Sequence, residues 1–156
     1  LFRSLTIAAL FVQLSAKLVI TVTDSGIEKL IAAAWQAREN AYCPYSGFAV
    51  GAAVLTESGQ IYSGCNVENA SYGLTICAER ASLFQAVAQG ERRFTAVAVV
   101  TETELPTPPC GACRQVLLEF APDARVVCLN RRRDIVEYTV RDLLPGAFSA
   151  ENLRDR

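Results

Sequence analysis

At 156 residues, 51% hydrophobic and 20% charged, the chain has the size and apolar content of one domain that can enclose a two- or three-layer core. A net charge of -1 gives no basic footprint for long nucleic acid, and the one basic run, Arg131 to Arg133, passes at once into Asp134 and reads as a solvated turn. The complete absence of histidine excludes a Ser-His-Asp triad, a Cys-His nucleophile pair and every histidine-containing metal site, so proton transfer falls to Glu, Asp, Lys, Tyr or Cys.

The chain begins without Met on LFRSLTIAALFVQLSAKLVITVTD, whose apolar stretch is broken by Gln13 and Lys17 and is too short and interrupted to span a bilayer well. Residues 1–24 are expected to be an N-terminal extension, dispensable or derived from an upstream gene start. A signal or anchor, with Arg3 before the apolar run and Leu14-Ser15-Ala16 after it, is the alternative. The domain is expected over residues 25–150, with 151–156 as a tail. Ser25-x-x-Glu28 reads as a capping box, and Ile27, Leu30, Ile31, Ala34 and Trp35 follow the spacing of an amphipathic helix. AYCPYSG then breaks that helix through Pro44 and Gly47.

FAVGAAVLT and QIYSGCNV are strand-like and joined by ESG, a hairpin signal. A second helix is expected from Cys77 to Gln89, with Leu83, Phe84 and Val87 inward and Gly90 as its stop. TAVAVVT is a third strand. After the Pro-rich ELPTPP, CGACRQVLLEFAP places Cys113, Val116, Leu117 and Phe120 on one helical stripe that Pro122 ends. ARVVCLN and IVEYTV are the fourth and fifth strands. Strands three and four are apolar on both faces, as when helices cover both sides of a sheet. The element order implies an α/β fold, a three-layer helix-sheet-helix sandwich on a mixed five-stranded sheet, with a hairpin start and parallel crossovers afterwards.

Six cysteines stand at 43, 65, 77, 110, 113 and 128. With no convincing export signal, a reducing compartment and a metal-ligand role for some of them fit better than disulfides. Cys110-Gly111-Ala112-Cys113 alone serves redox couples as well as zinc. Its placement and that of Cys77 at helix starts stabilise thiolates, the form that binds metal. Three thiolates leave a fourth tetrahedral position open, as in catalytic zinc sites. Cys65 or Cys128 could close it, although each sits in a strand-like run where a small buried thiol is commoner; Cys43 has no assigned role. Arg80 either tempers the negative charge of the thiolates or forms a surface ion pair with a residue such as Glu91. Glu79 is either a proton carrier beside the open position or a dipole-favoured surface residue.

Cys77-Ala78-Glu79-Arg80 and Pro109-Cys110-Gly111-Ala112-Cys113 fill the zinc-deaminase signature, with Cys in place of His. The sequence resembles the cytidine deaminases of the small three-cysteine type over residues 25–150, with AYCPYSGFAVGAA, GCNVENASYG and LLPGAFS sharing in the likeness. The resemblance implies one zinc per subunit held by Cys77, Cys110 and Cys113, with Glu79 activating water and moving protons to the ring nitrogen and the leaving amine. It implies that Phe48 packs on the pyrimidine, that Asn66 and Glu68 bind the ribose 3′-hydroxyl, and that Ala70 and Tyr72 line the pocket or a neighbouring subunit's site. By the same likeness Phe148 reaches into an adjacent subunit's site, and Arg80 bonds the ligand sulfurs.

The implied reaction is hydrolytic deamination of free cytidine and deoxycytidine, with release of ammonia, in pyrimidine salvage. The implied enzyme is a cytoplasmic homotetramer with shared active sites, and nucleoside and water as its partners; neither a nucleic acid polymer nor a membrane is expected. Blasticidin S or polynucleotide deamination is the nearest rival, and a non-catalytic zinc or thiol-redox module is a rival of another class.

Overall fold

The structure, a computed structural model, describes residues 25–154; the expected N-terminal extension, residues 1–24, lies outside the described residues. Helix α1 (Ser25–Arg38) is followed by strands β1 (Val50–Thr56) and β2 (Ile61–Cys65), then α2 (Ala78–Ala88), β3 (Phe94–Thr101), α3 (Gly111–Phe120), β4 (Arg125–Leu129), β5 (Ile135–Thr139) and the short α4 (Val140–Leu143). Ser25 is already helical, so it is not the non-helical flanking residue that a capping box requires.

The five strands form one sheet in the order β2-β1-β3-β4-β5. The hairpin β1–β2 is antiparallel, as expected. Only β3 and β4 are parallel neighbours, whereas β1–β3 and β4–β5 pair antiparallel. The expected run of parallel crossovers therefore reduces to one parallel pair. After β4 the chain turns straight back: Asn130 Oδ1 accepts from the amides of Arg132 at 3.0 Å and Asp134 at 2.9 Å, which folds the basic run into a turn too tight for a crossover helix.

Alternation along β3 separates two cores. Ala96, Ala98 and Val100 face α1, where they meet Ile27, Leu30, Ile31 and Ala34. Val97 and Val99 face the other layer, where Leu83 and Ala86 of α2 and Leu117 of α3 complete the packing. This is the expected three-layer sandwich. Phe84 does not point inward as expected; it is 45% exposed, because Leu83 and Ala86 already hold the inward face of α2.

Two glycines let helices lie against the hairpin. A Cβ on Gly51 of β1 would come 2.0 Å from the Ala34 carbonyl oxygen of α1. One on Gly64 of β2 would come 2.7 Å from the Ser82 amide nitrogen of α2. Both are backbone approaches that no side chain permits.

The hairpin ends in a side-chain rung that shapes the site. Asn66 N–H donates to the Val50 carbonyl at 3.2 Å, but the Asn66 carbonyl accepts from Tyr42 at 3.0 Å. Its side-chain Oδ1 substitutes for that carbonyl and accepts from Val50 N–H at 2.8 Å. No helix among the described residues is long and apolar enough to cross a membrane.

Candidate functional site

Cys77 and Cys110 are the N-cap residues of α2 and α3, both in extended conformation, and neither side chain caps its helix. Their thiols are free to meet across the gap between the two helix starts, and the Sγ atoms lie 3.8 Å apart. Cys113, in the first turn of α3 and buried, brings a third sulfur, and all three lie within 4.8 Å of one another. Two zinc–sulfur bonds of about 2.3 Å at a tetrahedral angle set sulfurs about 3.8 Å apart. The donor set thus fits zinc in size and softness, with the helix N-termini favouring thiolates. Among the described residues the group contains no fourth Cys, Asp or Glu ligand. Cys128 is fully buried in β4, and Cys65 donates to the Asn40 carbonyl at 3.3 Å, so neither joins.

The Cys77 thiol is drawn down to about 5, first by the hydrogen bond with Cys113 and then by Arg80 and Cys110, against its partial burial. Cys113 is pushed up, because it holds the proton shared with Cys77 and is buried beside the charges of Glu79 and Cys77. Arg80 Nη2 donates to Cys77 Sγ at 3.5 Å and to the Thr75 carbonyl at 3.3 Å. Glu91 instead accepts from Ser58 Oγ at 3.0 Å. Arg80 therefore acts on the sulfur cluster, and a surface pair with Glu91 is not formed. Arg80 Nε is buried with no hydrogen-bond partner.

Glu79 is no surface residue: it is 5% exposed. Burial foremost, reinforced by the Cys77 charge and opposed by its own backbone N–H, raises its proton affinity above the ordinary carboxylate range. It opens into a cleft of about 370 Å³ shared with Cys77 and Cys110, a volume suited to a small molecule.

Phe48, Asn66 and Glu68 line the same cleft. Asn66 gives one Nδ2 hydrogen to the Phe48 carbonyl at 2.8 Å, and with Oδ1 on Val50 it keeps one N–H for another partner. An Asx turn in the following residues falls on Asn69, whose Oδ1 accepts from Ser71 N–H at 2.8 Å. Glu68 accepts from the amides of Tyr45 at 2.9 Å and Ser46 at 3.2 Å, and from the Ser46 hydroxyl. These bonds, led by Ser46, hold its carboxyl below the ordinary range.

Tyr72 stands outside the main cleft, 75% exposed, in an adjoining groove with Tyr45 and Glu68. Ala70 is exposed and lines neither cleft. Phe148 is 59% exposed beyond α3, with its carbonyl accepting from Gln115 Nε2 at 2.9 Å. One chain does not bring Ala70 or Phe148 to the cleft.

Ser46, Thr75, Thr101 and Thr107 also line the cleft and were not singled out by sequence. Thr101, Thr103 and Thr107 share a hydroxyl cluster, with oxygens 2.6 to 3.3 Å apart. Ser46 lies in the Pro-Gly segment that reads as a helix breaker, and the threonines read as strand end and loop.

The family described as cytidine and deoxycytidylate deaminase zinc-binding region matches residues 24–130. The chain belongs to that family. The cytidine deaminases of Halalkalibacterium halodurans and Sporosarcina psychrophila are 56% and 58% identical to it over 129 and 128 residues. Those matches span 82% and 81% of this chain and 98% and 94% of the relatives. The crystal structure of cytidine deaminase from Burkholderia pseudomallei superimposes with a TM-score of 0.75 at 55% identity, covering 78% of this chain and 98% of that one. A blasticidin-S deaminase of Bacillus cereus matches more weakly, at 34% over 108 residues, 64% of this chain and 76% of its own. The five-stranded mixed sheet and flanking helices are thus the family's fold, and the three thiols fall within its zinc-binding region.

Proposed function

We propose that the chain is a zinc-dependent cytidine deaminase acting on free cytidine and deoxycytidine. The observation that carries this reading is a three-thiol cluster, two members of which line the cleft together with the buried carboxylate of Glu79, Phe48 and the polar pair Asn66 and Glu68. Cys77, Cys110 and Cys113 hold the metal. Zinc, when bound, supplies the Lewis acidity that makes water a nucleophile near neutral pH.

The chain's own groups do the rest. Phe48 packs on the pyrimidine face, and the remaining Asn66 N–H and the Glu68 carboxylate bind the sugar 3′-hydroxyl. Glu79 takes a proton from the attacking water as its oxygen bonds to C4, and gives it to the ring nitrogen. It then carries the second water proton to the amine as the C4–N bond breaks. Ammonia leaves, and the ring retains oxygen at C4. Arg80, bonded to Cys77, offsets the negative charge of the sulfur cluster.

Tyr72, Leu74, Phe84 and Phe148 are exposed in the single chain, and association between subunits would take such apolar surface out of water. The reading includes a homotetramer in which Tyr72 and Phe148 serve neighbouring sites, with Ala70 at the same border. Domain limits at residues 25–150, a cytoplasmic setting and a role in pyrimidine salvage belong to the same proposal. Purified chain assayed with cytidine, deoxycytidine and blasticidin S, with zinc measured per chain, tests it. Loss of cytidine absorbance with stoichiometric zinc is expected. Turnover of blasticidin S alone, or zinc without any turnover, refutes it.

A further inference from the structure

Two side chains hold the backbone of Phe48 at the rim of the cleft, and one of them also binds Glu68. The Phe48 carbonyl accepts from Asn66 Nδ2 at 2.8 Å, while the Phe48 N–H donates to Ser46 Oγ at 3.0 Å. An amide N–H can only donate, so the Ser46 oxygen is the acceptor there, and its single proton is left for Glu68 Oε1. Glu68 Oε2 receives the Tyr45 and Ser46 amides. Among the described residues, Ser46 is thus a side chain whose hydrogen bonds reach both the Phe48 backbone and the Glu68 carboxylate.

We propose that Ser46 is a positioning residue whose hydroxyl holds the Glu68 carboxylate at a fixed reach from Phe48, so that a nucleoside's sugar is read in register with its base. The inference rests on the assignment of Phe48 to the base and Glu68 to the 3′-hydroxyl. The network is asymmetric in a way that makes it testable. Without Ser46 Oγ, the Phe48 peptide is still held through its carbonyl by Asn66. Glu68 keeps only amides from a loop that has lost its side-chain tie. Sugar reading should weaken while base packing survives.

The test is steady-state kinetics on cytidine and 3′-deoxycytidine for the wild type, Ser46→Ala, Ser46→Thr and Glu68→Gln, alone and combined. Loss of a hydrogen bond to a charged group predicts that Ser46→Ala lowers kcat/KM for cytidine by about tenfold, through KM. The change on 3′-deoxycytidine should stay within about twofold, because that substrate lacks the group Glu68 reads. Ser46→Thr, which keeps the hydroxyl, should restore most of the loss, and Ser46→Ala should add little to Glu68→Gln. Equal losses on both nucleosides, or no loss on cytidine, overturn the proposal while wild-type discrimination still stands. A wild type that treats the two nucleosides alike removes the sugar assignment and the proposal with it.

Discussion

Replacing Gly51 by alanine tests whether the contact between α1 and the sheet is as close as the structure places it. The added Cβ would lie 2.0 Å from the Ala34 carbonyl oxygen, 2.7 Å from Arg38 Cβ and 2.8 Å from Arg38 N. Ordinary contact begins at 3.4 Å, so the helix must withdraw by about 1.4 Å, and two of the three obstructing atoms are backbone. Withdrawal opens a gap along the apolar seam of Leu30, Ile31 and Ala34 against Ala53, Ala98 and Val100. A radial gap of about 1 Å already forfeits close to half of each dispersion contact. The expected destabilisation is about 3 kcal/mol or more, at the upper end for overpacked cores. Gly73→Ala is the control, since a Cβ there meets nothing within 4 Å and no positive φ is required. Thermal melts at one fixed chain concentration should place Gly51→Ala roughly 6 to 12 °C below the control. A melting temperature within about 2 °C of the control would refute the close approach.

Glu79→Gln should retain zinc and lose between about a hundredfold and ten-thousandfold in turnover; substantial residual activity in a zinc-loaded sample would sink the proton-transfer role. Cys110→Ala should lose zinc, whereas Cys128→Ala should keep it and lose only about 1 kcal/mol of stability, so metal analysis paired with denaturant melts separates ligand from core thiol. The Glu68 carboxyl is held below its ordinary 4.5 in the folded chain. Its stabilising effect is thus fully present above 4.5 and fades as pH falls through the lower folded value; a carboxylate NMR titration with its midpoint at or above 4.5 contradicts this. Mixing inactive Glu79→Gln chains with Phe148→Ala chains should restore activity, because some sites then combine an intact Glu79 with a neighbour's intact Phe148. Failure of mixed oligomers to exceed the Phe148→Ala rate argues against shared sites.

The helices and strands were legible where periodicity is decisive. The stripe of Ile27, Leu30, Ile31 and Ala34 and the two-sided apolar run of β3 both identify their faces without reference to neighbours. Placement at helix starts made the three thiols legible as metal ligands, whereas spacing left Glu79 open between proton carrier and surface residue, and the family resemblance assigned its role. Strand direction was not, since the turn at Asn130 depends on side-chain bonds from Asn130 to Glu104 and Asp134, residues on either side of β4. Phe84 shows the limit of helical periodicity: it fits an inward stripe by spacing but loses the position to smaller neighbours. The resemblance gave Asn66 and Glu68 as ligand groups, and both also bind the backbone of the segment carrying Phe48. Only the folding of residues 42–48 beside 66–68 reveals that second duty.

The two helix starts that carry the thiols lie on opposite sides of β3 in chain order, 33 residues apart. An ion gripping Cys77 and Cys110 therefore ties a ring that encloses the central strand and the connection to α3. It joins the same two points that a disulfide across that span would, but it stabilises by binding the folded chain, to an extent set by its affinity and free concentration. Chelation would then remove a clamp on the folded chain as well as a cofactor. The melting temperature should fall on metal removal even in Glu79→Gln, where no catalysis is left to lose.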